Sequence, residues 1–246
     1  MTQIYNEEEF LALQNSLKEK IYLSDSFDKT GIKTVAGVDL AYWKHQNGKE
    51  LAVCCIVVID YSTHKVIEKK QYYGEITVPY IPGFLAFREL PLVLKTVGQL
   101  ESRHDIYMFD GNGYLHPRHM GIATHASFYL NAPTIGIAKT YFRVDKKTDY
   151  TEPEKTAGSY TDIVIGGEVY GRALRTHNDV KPVFLSVGNN ISLETATEIT
   201  MNLVGKESRV PVPTRLADLE THKAREKIIA DTQNEYPVSY THLTLP

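Results

Sequence analysis

Asp39 lies in TVAGVDLAYW (34–43), where nearly every neighbour is apolar. A buried carboxylate is costly as an anion, so it needs a donor, a cation or a raised pKa. A purely structural Asp, bonded to nearby backbone or to an arginine, is the alternative. Asp110 ends the apolar run IYMFD (106–110), and the glycines at 111 and 113 would let a ligand approach the backbone closely. A plain Asp-Gly turn would look the same. Glu89 follows Leu85 by four and precedes Leu92 by three, so it shares a helical face with apolar residues. Its alternatives are a salt bridge to Arg88 or simple solvation. Asp218, in TRLAD, either joins these acids or complements a helix dipole. Embedded acids spread over two strands and two helices suit phosphoryl transfer on hard divalent cations, which want oxygen ligands and several negative charges.

The basic groups have their own readings. Lys139, in GIAKTYF, reads as part of a strand beside that of Asp110, where it could hold a phosphate or the leaving oxygen, or be a surface lysine. His116 could be a metal ligand, an acid for a leaving group, a donor to a base, or none of these. Arg118 and His125 are consistent with phosphate contacts. In VPYIPGF (78–84) an aromatic and an aliphatic residue stand between two prolines. That loop is either packed on the core or a rigid wedge that enters a base stack.

The elements that must position these groups are readable from periodicity. Residues 6–22 place Phe10, Leu13, Leu17 and Ile21 at helical spacing, with Asn6 as the cap. Three strand-like runs follow, 33–43, 50–62 and 65–77, and their short turns imply an antiparallel meander. Residues 84–100 read as helix, with Pro91 starting a new turn or kinking it. Then come a strand (106–110), a helix (121–131), a strand (134–142) and a polar surface loop (145–159). A hairpin about Gly166-Gly167, a strand in KPVFLSVGNN, a helix capped by Ser192 and a last helix in LADLETHKAREKII complete the chain. The fold class is α/β: an antiparallel meander followed by βα units in one mixed sheet, with helices on both faces. A single domain over 1–236 is predicted, and the tail 237–246 reads as an expression or assembly scar.

Composition bounds the rest. With 42% hydrophobic and 23% charged residues in 246, the chain can bury a large core. No apolar run is long enough for a membrane span, the acidic N-terminus does not resemble a secretory signal, and a cytoplasmic monomer is expected. Cys54 and Cys55 are adjacent and point to opposite faces of a strand, so they read as buried thiols. A net charge of −3 argues against holding nucleic acid by bulk attraction, but carboxylates gathered around cations would carry that sign too.

Taken together, VAGVDLAYW, PYIPGFLAFRELP, DGNGYLHPRHMGIATH, PTIGIAKT and PTRLAD, in that order from about residue 30 to about residue 225, resemble the endonuclease V family. These are deoxyinosine-directed repair nucleases with a ribonuclease H-like fold. The resemblance implies a metal site of Asp39, Glu89 and Asp110, with Asp218 as a further ligand or water-bridged partner. It makes Lys139 the catalytic lysine and His116 the histidine near the active site. Tyr80, with Ile81 and Pro82, becomes the strand-separating wedge. Gly83, Leu85, Gly111, Gly113, His116 and Gly121 would form the pocket for a flipped hypoxanthine. Two departures stand out: Asn112 replaces a His or Gln, and VGNNIS replaces a Gly-His-Arg pattern, which leaves the nucleic-acid contacts of Asn189 and Asn190 open.

The expected activity follows from the family. It cuts the second phosphodiester bond 3′ of deoxyinosine by in-line attack of water and leaves 3′-hydroxyl and 5′-phosphate ends, with Mg²⁺ as cofactor and Mn²⁺ as its substitute. An inosine mismatch is weakly paired, which favours flipping. Deaminated DNA is the expected partner, and inosine-containing RNA a further one. Three alternatives remain: another ribonuclease H-like nuclease, such as a junction resolvase or an RNA-strand cutter, an inosine-directed ribonuclease, and a non-catalytic inosine-binding module.

Overall fold

The computed structural model describes residues 6–145 and 147–235. Its elements are α1 (Glu7–Lys18), β1 (Thr34–Lys44), β2 (Glu50–Asp60), β3 (Val66–Glu75), α2 (Leu85–Val97), β4 (Ile106–Asp110) and α3 (Ile122–Leu130). They continue with β5 (Thr134–Ala138), β6 (Tyr160–Ile165), β7 (Glu168–Leu174), β8 (Val183–Asn189), α4 (Leu193–Asn202) and α5 (Val212–Glu235). All eight strands form one sheet in the order β3-β2-β1-β4-β5-β8-β7-β6. The first three are the antiparallel meander, and β1, β4 and β5 run parallel. This is the ribonuclease H-like mixed sheet expected from the sequence.

The alternation of side chains along β1 sorts the core into two layers. Ala36 and Val38 face one layer, with Cys54, Leu90, Val93 and Phe109, under α2 and α3. Val35 faces the other, with Val57, Met108, Ile135 and Ala217, under α4 and α5. Cys54 and Cys55 are both buried and free, and they belong to opposite layers as their adjacency predicts.

The sequence reading needs correction in several places. Strand β5 ends at Ala138, so Lys139 lies just beyond it and not within it. Strand β8 runs antiparallel to β5, and β6 and β7 extend the sheet as a hairpin, so the βα pattern stops after β5. Helix α2 runs through Pro91 without interruption, and helix α5 begins at Val212, earlier than its apolar spacing suggests, with Pro213 in its first turn, where a missing N–H costs nothing. Helix α1 stops at Lys18, and its deeply buried residue is Gln14, while Leu13 stays exposed. That helix docks on polar atoms of a turn and on the rings of Phe84 and Phe87 rather than on an aliphatic surface. The tail at 237–246 lies outside the described residues.

Candidate active site

Register brings the first two acids together. Val38 pairs with Phe109 across the parallel strands β1 and β4, so Asp39 and Asp110 stand side by side where β4 ends and β1 continues with β2. Parallel sheets place their ligand crevices at this carboxyl edge. Alternation directs both side chains to the α5 layer, and Gly37 lets that helix come close. A Cβ on Gly37 would lie 2.1 Å from the Pro213 carbonyl carbon, so any larger residue would push α5 away. The close approach brings Thr221 and Asp218 to the acids. The Thr221 hydroxyl is 2.9 Å from Asp39 Oδ2 and 2.7 Å from the Asp218 carbonyl oxygen. Asp218 lies well inside α5, so helix-dipole compensation does not account for it.

Lys139 Nζ lies 2.7 Å from Asp110 Oδ2 and 2.8 Å from Asp218 Oδ2. Burial alone would lower its pKa, but these two carboxylates outweigh that and hold it above the ordinary lysine value. Its charge is therefore permanent near neutral pH. Glu89 arrives from the opposite layer on α2, fully buried, and accepts a hydrogen bond from the Tyr42 hydroxyl. Arg88 does not pair with Glu89. Its guanidinium meets Glu50 at 2.5 Å, donates to the Val78 carbonyl at 2.9 Å and covers the Tyr42 ring.

Burial, then the charges of neighbouring acids, pushes Asp39 up to about 7, against the Thr221 hydrogen bond and Lys139. Glu89 is likewise pushed up to about 7 by burial, with Asp39 and Asp110 adding to the rise and Tyr42 opposing it. Among the described residues, no three His, Cys, Asp or Glu side chains are grouped closely enough to hold an ion as they stand. The present partners explain the spread: Lys139 bridges Asp110 and Asp218, Thr221 holds Asp39, and Tyr42 holds Glu89. The donor set nevertheless fits a hard divalent cation. It is all oxygen, and two of its acids carry a charge deficit that a cation would relieve.

The second group of predicted residues forms a separate cluster. Gly83 adopts φ +81° and its carbonyl accepts from Arg118 Nη2 at 2.7 Å and from Gln14 Nε2 at 3.0 Å, while Arg118 Nε donates to Gln14 Oε1. The Arg118 guanidinium also covers the Phe84 ring, so it braces a turn. His116 Nδ1 accepts from the backbone amides of Arg118 at 3.2 Å and Met120 at 3.3 Å. Burial and then the Arg118 charge hold His116 down to about 3, so it is neutral, and it is bonded to the Gly83 backbone. The structure thus sets His116 beside Gly83. Tyr80 is 66% exposed, beside half-buried Ile81 and exposed Pro82, as a projecting tip requires.

Packing accounts for the remaining glycines. A Cβ on Gly113 would strike the Val187 carbonyl oxygen, one on Gly121 the Asn112 carbonyl oxygen, and one on Gly111 the Ile122 side chain. Leu85 opens α2 and is half-buried. His125 is buried against Phe87 with both ring nitrogens unpartnered, which removes it from phosphate contact. Asn189 and Asn190 fasten the segment before β1: Asn189 Oδ1 accepts from the Tyr22 amide at 2.7 Å, and the Asn190 carbonyl accepts from the Ser26 amide at 3.2 Å.

Sequence reasoning missed Tyr42, Thr221 and Gln14. Each is a polar residue on an otherwise apolar face, Tyr42 three residues after Asp39 and Thr221 three after Asp218, and that signal could have exposed them.

Known proteins share this chain's sequence and fold. Residues 15–219 match the family model described as Endonuclease V. The chain belongs to the endonuclease V family. It is 58% identical over 222 residues to endonuclease V of Bacillus thuringiensis subsp. konkukian, covering 90% of this chain and 94% of that one. The crystal structure of the Bacillus subtilis endonuclease V superposes with a TM-score of 0.89 at 55% identity, covering 94% and 97% of the two chains. A Ciona intestinalis endonuclease V, crystallised with a 24mer DNA containing an inosine followed by a ribo-adenosine, superposes with a TM-score of 0.78 at 28% identity, covering 90% and 98%. Family membership makes this chain a phosphodiester-cleaving endonuclease of a generally metal-dependent class. No helix among the described residues is long and apolar enough to cross a membrane.

Proposed function

We propose that this endonuclease recognises deoxyinosine in DNA and hydrolyses the second phosphodiester bond on its 3′ side, leaving 3′-hydroxyl and 5′-phosphate ends. The observation that carries this reading is the meeting of Asp39, Asp110 and Asp218 with Lys139 at the carboxyl edge of the sheet, with Glu89 delivered by the same helix that begins at the Gly83 turn. The Ciona relative crystallised with inosine-containing DNA supports the choice of base.

Asp39, Glu89, Asp110 and Asp218 would hold the cation, with Mg²⁺ the metal proposed and Mn²⁺ its substitute. When bound, it supplies charge neutralisation at the phosphate and makes water a better nucleophile. Lys139, permanently charged, offsets negative charge as the bond to the 3′ oxygen lengthens. Its ammonium meets the phosphate by exchanging one of its two carboxylate partners for a phosphoryl oxygen. Thr221 and Tyr42 fix the carboxylates of Asp39 and Glu89 before substrate arrives. Neutral His116 does not deliver a proton near pH 7; it holds the turn that carries Gly83. Tyr80, Ile81 and Pro82 separate the strands, and the backbone around Gly83, Gly111, Gly113 and Gly121 with Leu85 receives the displaced base.

The test is cleavage of an end-labelled duplex carrying one deoxyinosine, in Mg²⁺ and in EDTA, beside Asp110→Ala. A metal-dependent cut at the second 3′ phosphodiester, absent in the variant, is expected. Inosine binding without a cut in Mg²⁺ or Mn²⁺ would instead mark a binding module.

A further inference from the structure

A groove of about 690 Å³ opens directly beside Lys139. Its cationic lining is Lys139, Arg143, Lys181 and Arg209 against the acids Asp149 and Glu152, a local excess of two positive charges on a chain whose net charge is −3. Tyr141, Tyr150 and Phe184 form its aromatic part. Tyr150 packs edge-on against Phe184 with centroids 4.8 Å apart, and Tyr141 packs edge-on against Tyr150 at 5.3 Å. The tyrosine rings are half-buried, with area left for another flat group. Cations interleaved with aromatic faces are how proteins hold a single nucleic-acid strand without reading its sequence.

The floor of this groove is rigid. Arg209 donates to the Lys139 carbonyl at 2.8 Å and also to the Pro182 carbonyl, so it ties the chain leaving β5 to the chain entering β8. Arg143 is paired with Asp149. Lys181 is exposed, and among the described residues it has no carboxylate partner.

We propose that this groove seats the DNA strand on the 3′ side of the cut bond, with Lys181 contacting a phosphate there. The order of the groups supplies the direction. Helix α2 begins beside the Gly83 turn, which Arg118 holds from the loop after β4. Asp39 and Asp110 stand on β1 and β4, and the chain leaving β5 brings Lys139 to the rim of the groove, with Phe184 of β8 in its wall. A strand whose inosine sits near Gly83 and whose scissile phosphate meets Lys139 continues into the groove. The strand direction rests on the inosine-directed reading given above; the groove's chemistry does not.

The experiment is fluorescence anisotropy in EDTA, where no strand is cut, on duplexes with one deoxyinosine and a constant 5′ arm. The 3′ arm either stops just past the cut bond or continues for a full helical turn. Wild-type protein should bind the long arm roughly tenfold more tightly. Lys181→Glu should abolish that gain and leave short-arm affinity unchanged, while Lys181→Ala should lower the salt slope by about one for the long arm only. Equal affinity for both arms, or a Lys181→Glu loss that is the same for both, overturns the groove assignment. An adenine-for-inosine duplex separates the two readings. Loss of inosine preference with the arm effect intact sinks the inosine reading and keeps the groove as a strand site. Preference intact without the arm effect sinks the groove alone.

Discussion

Tyr42, on strand β1, donates its hydroxyl to the carboxylate of Glu89, on helix α2, fastening the strand to the helix packed on that face of the sheet. The bond favours the ionised carboxylate of a residue that burial would otherwise keep protonated. Tyr42→Phe should therefore slow single-turnover cleavage by roughly tenfold, the scale of one hydrogen bond to a charged group. Raising the Mg²⁺ concentration should recover part of the loss. A variant as fast as wild type at every Mg²⁺ concentration would remove Tyr42 from the site.

Metal-free stability should depend on pH in an unusual direction. Asp39 and Glu89 both have folded-state pKa values of about 7, above their ordinary 3.8 and 4.5. A carboxyl raised in the folded state binds its proton more tightly there, so these groups cost stability as pH rises from about 4 through about 7. The cost is on the order of a few kcal/mol at about 1.4 kcal/mol per unit. Urea unfolding in EDTA should show this decline, Asp39→Asn should flatten it, and Mg²⁺ should reduce it. Parallel pH profiles for wild type and Asp39→Asn would count against the shift.

Gln14 should matter more for stability than any leucine of α1. Gln14→Ala leaves Arg118 Nε without its acceptor and removes one donor to the Gly83 carbonyl. A loss of about 1–3 kcal/mol is expected from the unpaired buried groups, against about 0.5 kcal/mol or less for exposed Leu13→Ala. Chemical denaturation of the two variants decides it.

Tyr80→Ala should leave stability within about 0.5 kcal/mol of wild type, since the side chain is largely exposed. Its cost should fall on strand separation. Cleavage of a fully paired inosine duplex should drop more than cleavage of the same lesion in a single strand, and an equal drop on both would argue against a wedge.

The fold was legible because its signals are local. Alternation along β1 and β2, the Gly-Gly turn between β6 and β7, and the Ser192 cap of α4 each specify an element without help from the rest of the chain. The acids were legible because charge among apolar neighbours is conspicuous: Asp39, Glu89 and Asp110 could each be singled out in sequence, although only the register of β1 on β4 shows that two of them stand together. What could not be read depends on distant contacts. Gln14 is buried because a turn lying 69 residues later offers it a carbonyl. His116 and His125 look alike in DGNGYLHPRHMGIATH, but two backbone amides fix the ring of His116 and Phe87 covers His125. The end of β5 before Lys139 is likewise set by its pairing with β8 and not by any breaker in GIAKTYF.

The acids reach the edge of the sheet from both sides: Asp39, Asp110 and Asp218 on the α5 layer, and Glu89 on the α2 layer. On the proposed four-acid centre, neither half of the molecule carries a working site alone. A nascent or partly unfolded chain, with one helical layer still undocked, should then be unable to nick DNA. The placement of one carboxylate across the sheet makes cutting contingent on completed folding, a safeguard in a protein whose errors would be written into the genome it repairs.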